Sequence, residues 1–399
     1  MISNKHPIVT TSIPWACYQT PQILSAMLTT ATLSDASIAF WSEPDDEQLH
    51  IIIHFGEIKR YPVSAQMPKG FCFSPFHASG KACLLTADLL FLINKKGLSD
   101  NNKLTTPEQK SFIALLKKTL LQPIKTCYYC AKEQALSLGE EKSTFLSLVK
   151  KGLSAIEQGA IDKVVLAHQK TISLNNDYDP IAFFLRLQHT CPQHFVSILS
   201  TQEYGCWIGC SPELLLSVES EIIETVSLAG TKLKEDQWSA KEYQEQAYVN
   251  DFIRQQFNQL GIEDIQETVL SHVNIGQYDH LKTIFNINLK NKALSRSIIE
   301  PLLNNLQPTP AVCGVPKQEA MHFILENEGF ERQLYCGYLG PCHLKPEQIK
   351  LYMNIRCMQL FDHTAILYVG AGITKDSKPL DEWEEINLKS QTLLSLLKD

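Results

Sequence analysis

Residues 204–230 read YGCWIGCSPELLLSVESEIIETVSLAG, and this stretch decides the fold class that we predict. Residues 204–218 form an apolar, alternating run typical of a strand, and residues 222–228 form a second one. Only three residues separate the two runs, which is the spacing of a β-hairpin. Because strands joined by a short turn run in opposite directions, the stretch predicts an antiparallel sheet.

Further strands and helices are predicted outward from this hairpin. Strands are predicted at 48–56, 83–93, 163–173, 195–200, 280–289, 334–342, 350–359 and 364–371. Helices are predicted at 106–121, 180–189, 240–259, 317–326 and 380–397, with a further helical pattern from Phe145 that stops before Gly159. Since strands outnumber helices and many are spaced as hairpins, we predict an α+β fold whose mainly antiparallel sheets carry helices outside.

The composition argues against several classes of function. The formal net charge of −7 comes without a basic cluster, which argues against a nucleic-acid partner. The longest apolar stretch, 83–93, is interrupted by Asp88 and is too short to span a bilayer, and residues 1–20 lack the apolar region of a secretory signal. We therefore expect a cytoplasmic protein without membrane contact, whose scattered cysteines are reduced thiols rather than disulfides or zinc ligands.

Two helices each carry a pair of carboxylates spaced three residues apart. Glu242 and Glu245 lie in the first turns of the helix predicted at 240–259, and Glu382 and Glu385 repeat the spacing near the C-terminus. Two carboxylate pairs suit a hard cation such as Mg²⁺. The spacing alone leaves a second interpretation open: Glu242 also fits a capping box that begins at Ser239, and Glu385 could pair with a lysine one turn later.

A lysine and a glutamate stand inside apolar strand patterns. Lys163 opens the run Lys-Val-Val-Leu-Ala, and Glu213 lies in Ser-Pro-Glu-Leu-Leu-Leu. If both side chains are buried, loss of water favours a neutral amine, which can act as a base, and a protonated carboxyl, which can act as an acid. The alternative for Lys163 is a lysine at a strand end that extends its amine into solvent.

Glycine-rich turns follow two of the predicted strands. Gly370 and Gly372 lie in Tyr-Val-Gly-Ala-Gly-Ile, and Gly230 precedes Thr231 in Leu-Ala-Gly-Thr. Such glycines allow backbone N–H groups to approach an anion, although tight turns use them equally. Neither segment matches a nucleotide-binding fingerprint.

Taken together and in this order, these segments resemble the chorismate-utilising enzymes. The resemblance extends over residues 140–399 and rests on ordered motifs. They are Lys163-Val-Val-Leu-Ala, Ser211-Pro-Glu213-Leu-Leu-Leu, Leu228-Ala-Gly-Thr231, Lys241-Glu242-x-x-Glu245, His280-Leu-Lys-Thr283, Pro308-Thr-Pro-Ala-Val-Cys-Gly314, Gly370-Ala-Gly372, and Glu382-Trp-x-Glu385 followed by Lys389. Residues 1–130 match weakly, so we divide the chain into a variable N-terminal part of the same fold, 1–130, and a chorismate-binding catalytic region, 131–399.

The resemblance implies a fold, a cofactor and a set of site residues. The fold is one of two stacked, mainly antiparallel sheets with peripheral helices and an active-site cleft between them. The implied magnesium ligands are Glu242, Glu245, Glu382 and Glu385. The implied substrate contacts are Gly230, Thr231, His280, Ala311, Val312, Tyr335, Arg356, Gly370, Gly372 and Lys389.

Two features are similar to the isochorismate synthases within this family. A lysine stands at position 163, where the ammonia-using anthranilate synthases have a glutamine, and residues 308–312 read Pro-Thr-Pro-Ala-Val. The resemblance then implies that Lys163 is the general base for water attack at C2 of chorismate. Glu213 is correspondingly the general acid for loss of the C4 hydroxyl. No glutaminase subunit is expected, and the chain is expected to be a monomer.

Other readings of the same resemblance stay open. A salicylate synthase would form isochorismate on the same residues and then eliminate pyruvate, and a non-catalytic chorismate-binding protein would only bind the substrate. The sequence also leaves open whether isochorismate feeds menaquinone, siderophore or salicylate synthesis. Three residues depart from the family pattern, and these departures leave open how the side chains of the site are held in orientation: His168, Gln246 and Gln307.

Overall fold

The computed structural model describes residues 13–77, 80–123, 125–131, 141–219, 221–235, 237–275, 278–288 and 292–397. Within these ranges the helices are α1 (Thr20–Leu33), α2 (Pro107–Leu120), α3 (Glu141–Glu157), α4 (Pro180–Thr190), α5 (Ala240–Gln259), α6 (Lys292–Leu306), α7 (Lys317–Asn327) and α8 (Pro379–Leu397). None of these helices is both long and apolar enough to cross a bilayer.

The strands alternate between two large sheets along the chain. In order they are β1 (Ser37–Ser42), β2 (Leu49–His54), β3 (Lys59–Tyr61), β4 (Gly70–Ser74), β5 (Ala82–Thr86), β6 (Leu89–Asn94), β7 (Gly97–Asp100), β8 (Lys163–Ser173), β9 (Phe195–Thr201), β10 (Gly205–Ser211), β11 (Leu214–Glu219), β12 (Ile222–Leu233), β13 (Ile265–Glu267), β14 (Ser271–Ile275), β15 (Tyr278–Asn288), β16 (Gly314–Val315), β17 (Tyr338–Cys342), β18 (Gln348–Met353), β19 (Cys357–Leu360) and β20 (Thr364–Ile373).

Both sheets are open and antiparallel. Sheet A has the strand order β16-β8-β20-β19-β10-β9-β1-β2-β6-β7, and sheet B has the order β13-β15-β12-β11-β18-β17-β4-β5-β3 with β14 beside β15. The α+β prediction of two mainly antiparallel sheets with peripheral helices is therefore confirmed. Strands from the first hundred residues lie in both sheets.

Aromatic side chains fill the space between the sheets. Trp41 on sheet A and Phe71 on sheet B have ring centroids 5.0 Å apart. Phe195 on sheet A stacks on Tyr352 of sheet B with centroids 4.2 Å apart. All four residues are buried. Because large aromatic groups remove the most apolar surface from water, this layer contributes strongly to holding the sheets together.

Three of the predicted strands are wrong in the same way, because each is two strands in different sheets. The run 204–218 divides into β10 of sheet A and β11 of sheet B. The runs 83–93 and 350–359 divide likewise into β5 and β6 and into β18 and β19. We call the links at 87–88, 212–213 and 354–356 the sheet crossings. At one of them Pro212 offers no backbone N–H for a ladder, which explains why the strand ends there.

The predicted strand at 334–342 is also too long. Only β17, Tyr338–Cys342, is extended, and the residues before it form turns. Gln333 and Cys336 both adopt positive φ, 48° and 60°, which a continuous strand does not allow. The turn brings Tyr335 to the inner end of the sheets.

Candidate active site

A cavity opens between the sheets next to the crossings at 212–213 and 354–356. It is also bordered by β8, β12, β20, the first turns of α5, and the second and third turns of α8. The predicted site residues whose side chains or backbone line it are Lys163, Glu213, Gly230, Glu242, Glu245, His280, Ala311, Val312, Tyr335, Arg356, Gly370, Gly372, Glu385 and Lys389. Glu382 lies buried behind the wall, and the side chain of Thr231 is outside the described part of the structure.

The crossings explain how residues far apart in the chain meet here. Glu213 sits where the chain passes from β10 to β11, and Arg356 sits where it passes from β18 to β19. Arg356 adopts a φ of 50°, a left-handed conformation that is uncommon for a residue with a side chain and that often marks a functional position. Its guanidinium donates to the carbonyl of Lys389 at 3.3 Å and to Thr392 Oγ1 at 3.0 Å.

Lys163 is buried at the start of β8, which rules out a lysine that extends into solvent. The residue is only 2% exposed. Burial lowers the pKa of this amine, and the ammonium of Lys389 acts in the same direction, whereas the carboxylate of Glu245 opposes the shift. A lowered pKa increases the fraction of this amine that carries a free lone pair and can accept a proton.

Glu213 shows the opposite shift in the same cavity. The residue is 6% exposed, and burial raises its pKa to about 8, although Lys163, Arg356 and Lys389 act to lower it. At neutral pH its carboxyl group is mainly protonated. The cavity thus places a proton acceptor and a proton donor on two of its walls.

A glycine allows Lys163 and the carboxylate of Glu245 to approach each other. A Cβ at Gly372 would stand 3.1 Å from Lys163 Cε and 3.7 Å from Glu245 Cδ. The first of these distances is shorter than ordinary van der Waals contact, so a side chain at this position would displace the lysine. Gly230, the bulged residue of β12, has a φ of 64° and its Cβ would come within 2.6 Å of the Glu242 carbonyl oxygen. Both glycines are therefore needed for close packing of the cavity wall.

The carboxylates of α5 and α8 meet around a lysine that the sequence reasoning did not select. Lys241 Nζ lies 2.8 Å from Glu382 Oε1, 3.8 Å from Glu385 Oε2 and 3.9 Å from Glu245 Oε1. Burial acts to lower the pKa of Lys241, but these three carboxylates outweigh it and raise that pKa. A lysine that begins the motif Lys-Glu-x-x-Glu was visible in the sequence, but no spacing rule indicated that it would turn toward the second helix.

The two carboxylates of α8, Glu382 and Glu385, differ in their electrostatic environment. Burial, followed by repulsion from Glu385, raises the pKa of Glu382 to about 7. Burial also acts to raise the pKa of Glu385, but the ammonium groups of Lys389 and Lys241 hold that pKa below its usual value. Glu385 Oε1 accepts a 2.6 Å hydrogen bond from Lys389, whose ammonium also donates to the Gly370 carbonyl at 3.1 Å.

Glu242 forms the capping box that the sequence also allowed. Its Oε2 accepts hydrogen bonds from the backbone N–H and the hydroxyl of Ser239, at 2.7 and 2.6 Å. The carboxylate therefore stabilises the start of α5, while the residue still borders the cavity. Among the described residues, no three His, Cys, Asp or Glu side chains are arranged as a ready-made metal site.

The donor chemistry nevertheless fits a hard cation. Glu245, Glu382 and Glu385 each direct an oxygen within 4 Å of one positive group, Lys241 Nζ. Glu382 Oε2 is buried without a hydrogen-bond partner. Carboxylate oxygens are the ligands that Mg²⁺ prefers, and a buried oxygen without a partner has a lone pair available for a cation.

The three residues that depart from the family pattern have structural partners. Gln246 is buried, and its side chain accepts a hydrogen bond from the backbone N–H of Ala229 at 2.9 Å and donates one to the Ser227 carbonyl at 3.3 Å. These two hydrogen bonds connect α5 to β12 beside Gly230. His168 packs between the rings of Phe145 and Trp383. Gln307 donates to the Cys336 carbonyl at 3.1 Å.

His280 stands on β15 at the cavity wall. It is 5% exposed, and burial together with the cationic groups of Arg356 and Lys389 lowers its pKa to about 3. The imidazole therefore stays neutral over the physiological range. A neutral ring can both donate and accept a hydrogen bond, which suits contact with a hydroxyl group.

A buried ion pair behind the cavity holds the strand of Lys163 in place. Arg332 donates to both carboxylate oxygens of Glu328, and its other donors reach the carbonyls of Val312 at 2.8 Å and Val165 at 2.7 Å. Glu328 Oε1 in turn accepts the backbone N–H of Ala167 at 2.8 Å. The pair therefore links β8 to the segment that carries Val312.

We expect Glu328→Gln to lower the free energy of unfolding by about 3–5 kcal/mol, because it leaves the Arg332 charge buried without its partner. The two side chains are 1% and 2% exposed. The matched control is Glu326→Gln, since Glu326 is 60% exposed in a surface pair with His322 and its loss should change the stability by less than about 0.5 kcal/mol. Urea unfolding followed by circular dichroism compares the two variants, and equal midpoints would contradict the structural role of the buried pair.

Comparison with known proteins identifies similar sequences and folds. The sequence model of the family described as "Chorismate binding enzyme" matches residues 77–398. The isochorismate synthase MenF of Haemophilus influenzae is 30% identical over 280 residues, which cover 66% of this chain and 62% of that protein. The chloroplastic isochorismate synthase of Catharanthus roseus is 29% identical over 251 residues, 60% of this chain and 42% of that protein. The chain thus spans less than two thirds of these relatives.

A solved structure has the same fold. The menaquinone-specific isochorismate synthase MenF of Escherichia coli superposes with a TM-score of 0.72 over 95% of this chain and 91% of that one, at 19% sequence identity. At this identity the likeness concerns the arrangement of the two sheets and their helices.

Proposed function

The chain belongs to the family of chorismate-binding enzymes, and from this premise we propose that it is an isochorismate synthase. The observation that carries the proposal is the buried pair formed by Lys163 and Glu213, whose pKa values are shifted in opposite directions in one cavity. Relatives named isochorismate synthase, at about 30% identity, support the same activity. A lysine base for water removes the need for a subunit that supplies ammonia.

The proposed reaction needs two proton transfers, one from the attacking water and one to the leaving hydroxyl. Lys163 accepts a proton from water as the water oxygen bonds to C2 of chorismate, both ring double bonds shift, and the bond between C4 and its hydroxyl oxygen breaks. Glu213 donates its proton to the C4 hydroxyl, which leaves as water. After each turnover Lys163 loses a proton to solvent and Glu213 regains one, while one water is taken up and one is released, so the conversion to isochorismate is reversible and consumes no co-reactant.

The cavity offers cationic groups for the carboxylates of the substrate. Arg356 and Lys389 both border it. Tyr335 lies against Gly370, and its hydroxyl would stand 2.9 Å from a Cβ atom added at that glycine. The neutral His280 is suited to the C4 hydroxyl. Charge-assisted hydrogen bonds to two carboxylates orient a small dianion in one direction only.

Mg²⁺ is the proposed cofactor. Glu245, Glu382 and Glu385 would hold it, and Glu242 would join them if its carboxylate left the capping box. A bound Mg²⁺ supplies a positive charge that stabilises negative charge on a substrate carboxylate. The proposal predicts an activity that depends on added magnesium.

Proton NMR of chorismate incubated with the purified protein tests this function. We expect isochorismate to appear with MgCl₂, to reach an equilibrium mixture, and to be absent with EDTA, in samples without ammonia or partner protein. Pyruvate and salicylate among the products would instead identify a salicylate synthase. Unchanged chorismate in the presence of MgCl₂ would refute the proposal.

A further inference from the structure

The ammonium group of Lys241 lies at the point where carboxylates from two helices converge. Its distances to Glu382, Glu385 and Glu245 are 2.8, 3.8 and 3.9 Å. Glu245 belongs to α5, whereas the other two belong to α8. Partly buried carboxylates that share a small volume repel one another unless cations compensate them. Lys389 pairs with Glu385 at 2.6 Å, and Lys241 is the cation that lies within 4 Å of all three carboxylates.

This position cannot be shared with a metal ion. Mg²⁺ binds its oxygen ligands at about 2.0–2.1 Å and tolerates little distortion of its octahedron. The ammonium of Lys241 stands 2.8 Å from Glu382 Oε1, inside the space that a metal bound by these carboxylates would take. The absence of a ready-made metal site among the described residues agrees with this geometry.

We infer that Lys241 is a resident counter-ion, which occupies the cation position in the metal-free protein and must withdraw before Mg²⁺ can bind. The inference rests on the proposed function, because it concerns the metal of that reaction. Lys241 therefore sets the apparent affinity for Mg²⁺, since only molecules whose lysine has withdrawn can take up the metal.

The local structure allows the side chain to move while its backbone stays fixed. The backbone N–H of Lys241 donates to Ser239 Oγ at 3.2 Å within the capping box, which holds the first turn of α5. The side chain of Lys241 is 24% exposed, so solvent is within its reach. A lysine stem has four rotatable bonds and can carry the ammonium into water without unwinding the helix.

The test is the affinity of the chorismate-free protein for MgCl₂, measured by isothermal titration calorimetry. We expect Lys241→Met to bind Mg²⁺ about tenfold more tightly than the wild type, the gain that follows if the lysine occupies the site in about nine-tenths of the metal-free molecules. Lys241→Gln should show the same gain, and Lys241→Arg, which keeps the charge, should not. Thermal unfolding confirms that each variant is folded.

Lys378→Met is the matched control. Lys378 is exposed immediately before α8, and its carbonyl accepts the backbone N–H of Glu382, so the substitution removes one positive charge near the same carboxylates without emptying their shared position. Its affinity for Mg²⁺ should stay close to that of the wild type, because an exposed charge is screened by solvent and salt. An equal gain in both methionine variants would mean that net charge alone sets the affinity, and it would overturn the inference.

The remaining outcomes separate the inference from the proposed function. Suppose that the wild-type protein binds Mg²⁺ and forms isochorismate, but that Lys241→Met and Lys241→Gln bind Mg²⁺ no more tightly than the wild type. This result overturns the inference and leaves the proposed function intact. Wild-type protein and variants that all fail to bind Mg²⁺ overturn the inference together with the metal that the proposed function requires.

Discussion

Replacing Lys163 with methionine should lower kcat for isochorismate formation by about a thousandfold, the usual contribution of a general base. Methionine has a similar length but no proton acceptor, and it suits a position that is 2% exposed and held among apolar strands. Water would then attack C2 without assistance. Because the proposed partners of the substrate carboxylates are Arg356 and Lys389, chorismate binding should persist, and calorimetric titration with chorismate measures it independently of turnover.

The control lies on the same strand. Lys170→Met changes the same side chain seven residues further along β8, where the amine contacts Asn387 Oδ1 at 3.4 Å and does not border the cavity. Its kcat should equal that of the wild type. A Lys163→Met enzyme with a rate within about fivefold of the wild type would exclude a general-base role, since that role supplies at least about a hundredfold.

Glu213→Gln should reduce kcat by a similar factor, about a thousandfold, because an amide cannot transfer a proton to the leaving hydroxyl. The wild-type pH profile offers a second readout. The acid must be protonated to act, and its pKa is raised to about 8, so kcat/KM should fall as the pH rises through about 8. Lys163, Arg356 and Lys389 act to lower the pKa of Glu213, but burial outweighs them.

Glu219→Gln is the corresponding control at the far end of β11. Glu219 is exposed and accepts a 3.1 Å hydrogen bond from Gln348, away from the cavity. Its variant should retain both the wild-type rate and the fall in kcat/KM near pH 8. If Glu213→Gln turned over chorismate at the wild-type rate with the same alkaline fall, another group would have to be the acid.

Local patterns singled out Lys163, Glu213 and the two carboxylate pairs as candidates, and the resemblance to a known family supplied most of the other site residues. Lys163 and Glu213 interrupt apolar strands, and the carboxylate pairs recur at helical spacing, so each is visible within a few residues. The structure brings these segments to one cavity. Their roles as base, acid and metal ligands remain predictions that the variants above test.

The parts that were missed depend on contacts between distant segments. Hydrophobic periodicity indicates which residues are buried but not which sheet a strand belongs to. Two consecutive strands, one in sheet A and the next in sheet B, therefore look like one apolar run. Lys241 was missed for a similar reason, because its partners Glu382 and Glu385 lie about 140 residues later in the sequence. The capping box of Glu242, which the spacing left open as an alternative to metal binding, was visible because it is a local pattern.

The sheet crossings limit how the two layers can move against each other. Three separate links, at 87–88, 212–213 and 354–356, join sheet A to sheet B. A shear of one layer over the other would strain all three at once, whereas shear elsewhere in proteins relies on layers that slide freely. We therefore expect the two sheets that form the walls of the cavity, and Glu213 at one of the links, to keep their relative position when a ligand binds.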